Sequence, residues 1–472
     1  MSKSAVHKAA AGKHDATPEN AQNFEHYGTI LRYFGPELVN VILVYTLMVF
    51  VDAQLIAGLK STSAYAMVGV TNTLIFFINK VAEGFSVGAV ILCGQFQGRK
   101  EYAMVGQAAI AAVWSTILIG AGISAFLFFN AHFIFSKLLC VPDDMVTVGV
   151  PFLRLRTISI FLMFIFFAII GFLRGVKNTK ATMYFYLLGS VVFVISDYAL
   201  IHGNLGCPAL GFNGSAIASI VQYAVMLLAA LAYLCLRKDY RQYQFKIHTV
   251  NWSLVKTICS LSWPVMFDKA ALQIEKIWMV RLIAPMGAYA LGSLGVIKDL
   301  ESLAFLPVAA FGHIVTLLVS NEYGAGNFGG IKLAIKRTLA MASAMMFSLL
   351  LLFALKPIWF ISIFDKQNAF TDFAAKAFPF VGILTFFDLL QLILAGALRG
   401  TSNVKVVMWT RVISALVLFM PLSYGIAMIP LENPLIRFIA IYASFNIVNC
   451  VASVIYYVWF HAGYWHRTAQ ET

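Results

Sequence analysis

The chain has 472 residues, of which 60% are hydrophobic and only 12% charged. An ordinary soluble domain is about 45–50% apolar and about 25% charged, so there is too little polar surface here to cover a water-soluble particle. A soluble enzyme, a disordered protein and a disulfide-stapled secreted domain are thereby excluded, which leaves an all-α polytopic membrane protein. The net charge of +13 reads as basic loops against anionic headgroups on the cytoplasmic side, not as a nucleic-acid surface.

Residues 1–28 are polar and lack an apolar core, so they read as a disordered cytoplasmic tail, not a cleavable signal. Apolar segments follow at 36–58, 64–93, 104–130, 149–173, 181–203 and 211–236. The stretch 237–251, with Arg237, Lys238, Arg241 and Lys246, reads as a basic cytoplasmic linker. Six more segments follow at 252–283, 288–319, 334–355, 374–398, 406–430 and 435–461, before a C-terminal tail at 462–472. A spanning helix needs about 20 apolar residues, so the expectation is 12 transmembrane helices. Those at 29–236 form one lobe and those at 252–461 the other. Cys93, Cys140, Cys207, Cys235, Cys259 and Cys450 are scattered, with no CxxC pair and no histidine at ligand spacing. They read as packing residues, with no metal site.

The chain repeats itself. Gly171-Phe-Leu-Arg174-Gly175-Val-Lys-Asn178-Thr-Lys180, followed by Met183, returns as Gly396-Ala-Leu-Arg399-Gly400-Thr-Ser-Asn403-Val-Lys405, followed by Met408, at an offset of 225 residues. Ala64-Tyr65-Ala66 returns as Ala288-Tyr289-Ala290 at an offset of 224. A motif that returns after six spans lies on the same membrane face. Both copies are basic, as are Arg99, Lys100, Lys332, Lys336 and Arg337, so that face is read as cytoplasmic. Lys60 and the mixed stretch Lys356, Asp365, Lys366, Asp372 and Lys376 fall on the other side. Two parallel six-helix repeats with the pathway between them are a transporter architecture.

An ionisable group at the bilayer centre costs about 2.5–3.5 kcal/mol on insertion scales, so it is a functional candidate. Asp52 in the first span, Asp197 in the fifth and Asp388 in the tenth each lack a basic neighbour one helical turn away. Gln391 lies one turn beyond Asp388. Asp268, Lys269, Glu275, Lys276 and Arg281, then Lys298, Asp299 and Glu301, crowd the seventh and eighth spans and read first as mutually neutralising pairs, with Arg281 reaching to an interface. Gly69, Gly84 and Gly88, with Pro264 and Pro307, are read as points of close helix contact or bending. Gly324-Ala-Gly326-Asn-Phe-Gly329 fits GxGxxG but follows no strand, so it is not a dinucleotide loop. No GxxxxGK[ST] or HExxH run occurs, Gly84-Phe-Ser86-Val-Gly88 lies within an apolar span and is not read as a GxSxG elbow, and no nucleophile or acid–base cluster marks an enzyme.

Several of these segments resemble one family. Val51-Asp52, Ala64-Tyr-Ala-Met-Val-Gly69, Gln95-Phe-Gln-Gly98, Gly171-Phe-Leu-Arg174-Gly175, Leu210-Gly211-Phe-Asn-Gly214-Ser-Ala-Ile-Ala-Ser219, Asn321-Glu-Tyr-Gly324-Ala-Gly326 and Asp388-Leu-Leu-Gln391 are similar, in order and spacing, to the multidrug and toxic compound extrusion (MATE) transporters. The resemblance implies a V-shaped pair of six-helix lobes in the cell (inner) membrane, both termini cytoplasmic. The implied activity is antiport of organic, cationic or amphipathic compounds against H⁺ or Na⁺ by alternating access, with no other cofactor. It places ion coupling and substrate binding on Asp52, Asp197 and Asp388, with Na⁺ as an alternative occupant, and lines the cavity with Ser219 and Gln222. Gln391, Glu275, Asp299 and Glu301 are further polar candidates. Two positions depart from the family pattern: Phe193 stands where Asn is usual, and Leu272 where some members carry Glu, with Glu275 nearly on the same helix face. A small molecule and membrane lipids are the expected partners, with a monomer sufficient. The alternatives are a lipid or lipid-linked saccharide flippase of the same superfamily and a major-facilitator carrier.

Overall fold

Helices follow the apolar segments almost one for one. The computed structural model describes residues 27–44, 48–59, 62–139, 141–245, 250–362, 365, 370–430 and 432–465. The N-terminal tail to residue 26, residues 466–472, Lys60, Cys140, Lys246 and Lys366 lie outside the described residues. The first half comprises α1 (Tyr27–Ile42), α2 (Met48–Ala57), α3 (Thr62–Gly98), α4 (Tyr102–Phe133, continued by a π-helical stretch Ile134–Leu138), α5 (Asp143–Gly175), α6 (Thr179–His202) and α7 (Phe212–Leu236). The second comprises α8 (Trp252–Ile283), α9 (Ala288–Gly324), α10 (Phe328–Leu355), α11 (Pro357–Ser362), α12 (Thr371–Gly400), α13 (Val404–Ile413), a π-helical stretch Ser414–Phe419, α14 (Met420–Met428) and α15 (Pro434–His461). Among the described residues there is no strand, and ten helical segments are long and apolar enough to cross a membrane. The other two expected spans correspond to α1 with α2, which flank residues outside the described ones, and to the charge-bearing α8. Helix α5 starts six residues before the apolar segment does. Asp143 and Asp144 fill its first turn, where carboxylates favour the positive end of the helix dipole.

The duplication is visible in the backbone. Lys177 and Ser402 both take the left-handed conformation, at φ 62° and 65°, immediately after α5 and α12. Lys100 and Gly326 do the same after α3 and α9, at φ 62° and 70°. The glycines of the GxGxxG run are therefore turn and contact residues.

Each half hands its first helix to the other. Ile30, Phe34 and Val41 of α1 pack into the core of the second half, with Phe34 stacked on Phe311 at 4.4 Å. Leu254, Val255, Ile258, Leu261 and Val265 of α8 pack into the core of the first half, while Met279 and Ile283 at its far end return to the second. Gly84 and Gly88 sit where α3 crosses α8, against Met266 and Ser262, so they serve close approach as expected. Gly69 has open space where a side chain would stand.

The lobes meet at the face that carries the basic loops. There the C-terminal ends of α3 and α9 interlock reciprocally. Gln95 Nε2 donates to the Gly400 carbonyl at 3.1 Å and to Ser402 Oγ at 2.9 Å. Asn321 Nδ2 donates to the Gly175 carbonyl at 2.9 Å. A side chain on Gly98 would meet the Asn321 carbonyl, and one on Gly324 would meet the Gln95 carbonyl. Away from this face, α8 turns to its own lobe through Glu275 and Trp278, and α2 packs on α3 and α6. The two lobes thus diverge in a V.

The linker between the halves is more than a polar spacer. A 3₁₀ turn, Lys238–Tyr243, buries Tyr240 and Tyr243, whose rings meet Phe172 edge-on at 6.1 and 5.4 Å. Asn178 Nδ2 donates to the Tyr240 hydroxyl at 2.5 Å. The five described cysteines are unpaired.

Candidate functional site

In the first lobe, Asp52 on α2 faces α7. Its Oδ1 accepts a hydrogen bond from Ser215 Oγ at 2.6 Å. A cavity of about 140 Å³ opens beside it, lined among others by Asn72, Asn79, Arg156, Phe193 and Gln222. At about 30 Å³ per water, that space suits a small cation or a few waters. Drug-sized ligands occupy about 300–1,000 Å³. Asp197 on α6 stands behind this lining, fully buried, with neither carboxylate oxygen hydrogen-bonded among the described residues. It is close enough to interact electrostatically with Asp52 and with the Arg156 guanidinium. The expected pair is therefore brought together. Arg156 corrects the picture of isolated acids, because it reaches Asp52 from α5, far away in sequence. Gln222 lines the cavity and points Nε2 at Met48 Sδ, 3.0 Å away. Ser219 does not line it; its hydroxyl donates to the Ser215 carbonyl at 3.1 Å.

In the second lobe, Asp388 on α12 accepts from Asn449 Nδ2 at 2.5 Å. Asn449 Oδ1 in turn accepts from Arg411 Nη1 at 2.8 Å. A cavity of about 180 Å³ is lined by Lys276, Lys298, Glu301, Asp388, Gln391 and Arg411 with apolar neighbours, Leu272 among them. Asp388 is thus not alone either: three cations converge on its cavity. Glu301 accepts from Thr385 Oγ1 at 2.9 Å and from the Tyr442 hydroxyl. Lys298 lies over the Tyr442 and Phe445 rings at 4.7 and 5.2 Å. Glu275 is fully buried and pairs with Arg411 at 3.3 Å, outside the cavity lining. Asp268 pairs with Arg399 at 2.5 Å and with Arg411 at 3.6 Å. Asp268 and Glu275 are neutralised, but by Arg399 and Arg411 of later helices and not, as expected, among the seventh- and eighth-span charges themselves. Asp299 is exposed and stands apart from this cavity. Arg281 is exposed, 5.5 Å from the Trp278 ring.

A charge network in the contact between the lobes was missed in the sequence. Glu83 on α3 accepts from Lys80 and from Lys269 of α8, both at 2.9 Å. His313 of α9 lies 3.4 Å from Glu83 and 3.4 Å from Glu37 of α1. Glu37 holds Arg174 through two bonds of 2.9 and 2.8 Å. The signal was available, since Glu37, Glu83 and Arg156 all interrupt apolar runs. Their partners come from distant helices, which spacing along one helix does not reveal.

The MatE family profile matches the chain twice, at residues 38–199 and 264–425, one match per half. "Probable multidrug resistance protein YoeA" of Bacillus subtilis is 24% identical over 267 residues, covering 56% of this chain and 57% of that protein. The first relatives are thus matched over little more than half their length. A "probable multidrug resistance protein NorM" of Agrobacterium fabrum is 22% identical over 411 residues, 86% of this chain and 87% of that protein. A crystal structure of MATE in the bent conformation superposes with a TM-score of 0.84 at 15% identity, covering 94% of this chain and 96% of that one. With both halves matched by the profile and the two-lobe fold shared, the chain belongs to the MatE family, a family of membrane transporters and not of enzymes.

Proposed function

We propose that the chain is a secondary active antiporter that exports organic, cationic or amphipathic compounds in exchange for H⁺ or Na⁺, with Asp52 and Asp197 as the coupling pair. The observation that carries this reading is the charge imbalance in the first lobe. Two carboxylates, one at a small cavity and the other buried behind its lining without a hydrogen bond among the described residues, face a single guanidinium. An unbalanced buried carboxylate is costly, and a proton or a sodium ion removes that cost. The second lobe offers no such imbalance. Asp268, Glu275, Glu301 and Asp388 are matched by Lys276, Lys298, Arg399 and Arg411.

Volume separates the two ligands. The cavity beside Asp52 accommodates the ion, while the cargo occupies the wider cleft between the lobes, where Asp388, Lys276 and Lys298 orient it. The basic face is assigned to the cytoplasm of the inner membrane, both termini inside, so the described conformation is closed inward and open outward. A cation then enters from outside, neutralises the pair and favours the inward-open form. One unit charge crossing 100 mV contributes about 2.3 kcal/mol, or about fiftyfold in a population ratio.

The relatives named as multidrug resistance proteins support organic cargo, and nothing favours the flippase reading. The test is counterflow of cationic dyes in proteoliposomes under separately imposed pH and Na⁺ gradients. Asp52→Asn and Asp197→Asn each lower ion-driven uptake at least about tenfold, whereas Asp388→Asn alters the relative rates among dyes. Wild-type ion-driven rates in both first-lobe variants refute the coupling assignment.

A further inference from the structure

One sizeable cavity belongs to neither acidic site. It measures about 690 Å³ and lies at the basic face, between α3 of the first half and α8 and α13 of the second. Its walls are helix ends: Arg99 just beyond α3, the first turns of α8 and α13, and Trp459 in the last turn of α15. That places it at the membrane–water boundary. Three cations, Arg99, Lys256 and Lys405, line it without a single carboxylate. Among the described residues none of the three is ion-paired. Ser253, Thr257 and Ser260 add hydroxyl donors. The start of α13 also faces it, and no side chain caps that helix. In the first half the equivalent Asn178 caps α6 by accepting from the Ala181 amide.

Unpaired cations, hydroxyls and free helix-start amides around one hollow suit a phosphate group. Phe96, Leu254 and Leu261 give the same hollow an apolar flank, and its depth is that of a headgroup. We propose that this cavity binds the phosphate of an anionic phospholipid, a lipid bridge between the lobes. Gln95 and Ser402, whose hydrogen bond ties the lobes, are part of its wall. Separation of the lobes dismantles the site, so the bound headgroup favours the form closed at the basic face.

Purified full-length protein is titrated with phosphatidylglycerol, with phosphatidylcholine and with inorganic phosphate, and the thermal midpoint is followed. Phosphatidylglycerol raises the midpoint of wild type beyond phosphatidylcholine. The double variant Lys256→Gln/Lys405→Gln weakens its apparent affinity about thirtyfold, about fivefold per charge. The charge-matched control Lys332→Gln/Lys336→Gln, on the same face but outside the cavity, leaves it within about twofold. Arg99→Gln, on an exposed side chain, gives a second and independent weakening of about fivefold. Equal affinity in the cavity variants and the control overturns the site. An equal midpoint rise with inorganic phosphate alone overturns the lipid source. Spin labels at Lys180 and Lys332 report the bridging: phosphatidylglycerol increases the closed population, and indifference to it overturns the bridge.

Discussion

Gly98→Ala separates a contact that holds the lobes together from one that merely touches. The added methyl group would stand 2.0 Å from the Asn321 carbonyl oxygen and 2.8 Å from the Ala325 amide nitrogen. Both atoms are backbone, in the last turn of α9 and just beyond it, so neither moves without the helix. Ordinary contact needs more than a further 1 Å, which α3 and α9 gain only by parting at the basic face. Overpacking a tight contact costs about 1–3 kcal/mol. Because the cost falls only on the closed form, it shifts the equilibrium toward the basic-face-open form by about fivefold to 150-fold. Gly324→Ala meets the Gln95 carbonyl at 2.0 Å and does the same from the other side. Gly69→Ala, with open space around it, is the control. Electron–electron distance measurements between spin labels at Lys180 and Lys332 read the two populations. If Gly98→Ala leaves the distance distribution at that of wild type and Gly69→Ala, the reciprocal interlock does not set the closed form.

Three further outcomes follow from buried charge. Arg174→Gln leaves Glu37, which is 1% exposed, with His313 at 3.4 Å as its remaining partner, and costs at most about 3–5 kcal/mol. Glu37→Gln/Arg174→Gln regains most of that stability, as thermal unfolding of the four members of the cycle will show. Lys269→Met removes the link from α8 to Glu83 but leaves Lys80 beside the carboxylate. The closed population therefore falls by less than the full cost of a stranded charge, at most about 3 kcal/mol, measured with the same spin labels. Arg156→Gln removes the cation facing Asp52 and Asp197 and raises the apparent affinity for the coupling cation about tenfold or more. Cation dependence of dye counterflow measures it, and an unchanged half-saturating concentration would refute the charge-balance argument.

The helices were legible because a membrane helix must bury a run of apolar side chains and satisfy its own backbone. Twelve such runs are plain in the sequence; ten become helices long and apolar enough to cross a membrane, some with shifted ends, as at Asp143. The duplication was legible for a related reason: Arg174 and Arg399 repeat because each closes a buried ion pair with the first helix of its own half, Glu37 and Asp268. What spacing along the chain could not show was which helices meet. The crossing of α1 and α8 into opposite lobes, the docking of Tyr240 and Tyr243 and the approach of Arg156 to Asp52 are all contacts between segments far apart in sequence. Asp388 looked isolated on its own helix for that reason, and Lys276, Lys298 and Arg411 reach it from three others.

The two halves share a scaffold but not a charge pattern, and the proposed division of work between them rests on that difference. Where the scaffold is symmetric, so are the contacts. Gln95 reaches Gly400 as Asn321 reaches Gly175, so one bond joins the end of α3 to the end of α12 and its counterpart joins the end of α9 to the end of α5. Both contacts belong to the form closed at the basic face. Where the halves differ, one holds an excess carboxylate beside an ion-sized hollow and the other a balanced set facing the cleft. A small cation entering the first lobe therefore acts on a charge that nothing else neutralises. The same cation in the second lobe would only displace a partner already in place. Between them, Glu83, His313 and Glu37 join helices of both halves, so a rearrangement of α1 or α2 around an occupied Asp52 is felt at the lobe contact. Coupling needs only that the ion be held more tightly in one arrangement than in the other. On the proposed reading the asymmetric carboxylate pair supplies that difference, and the symmetric interlock is what it works against.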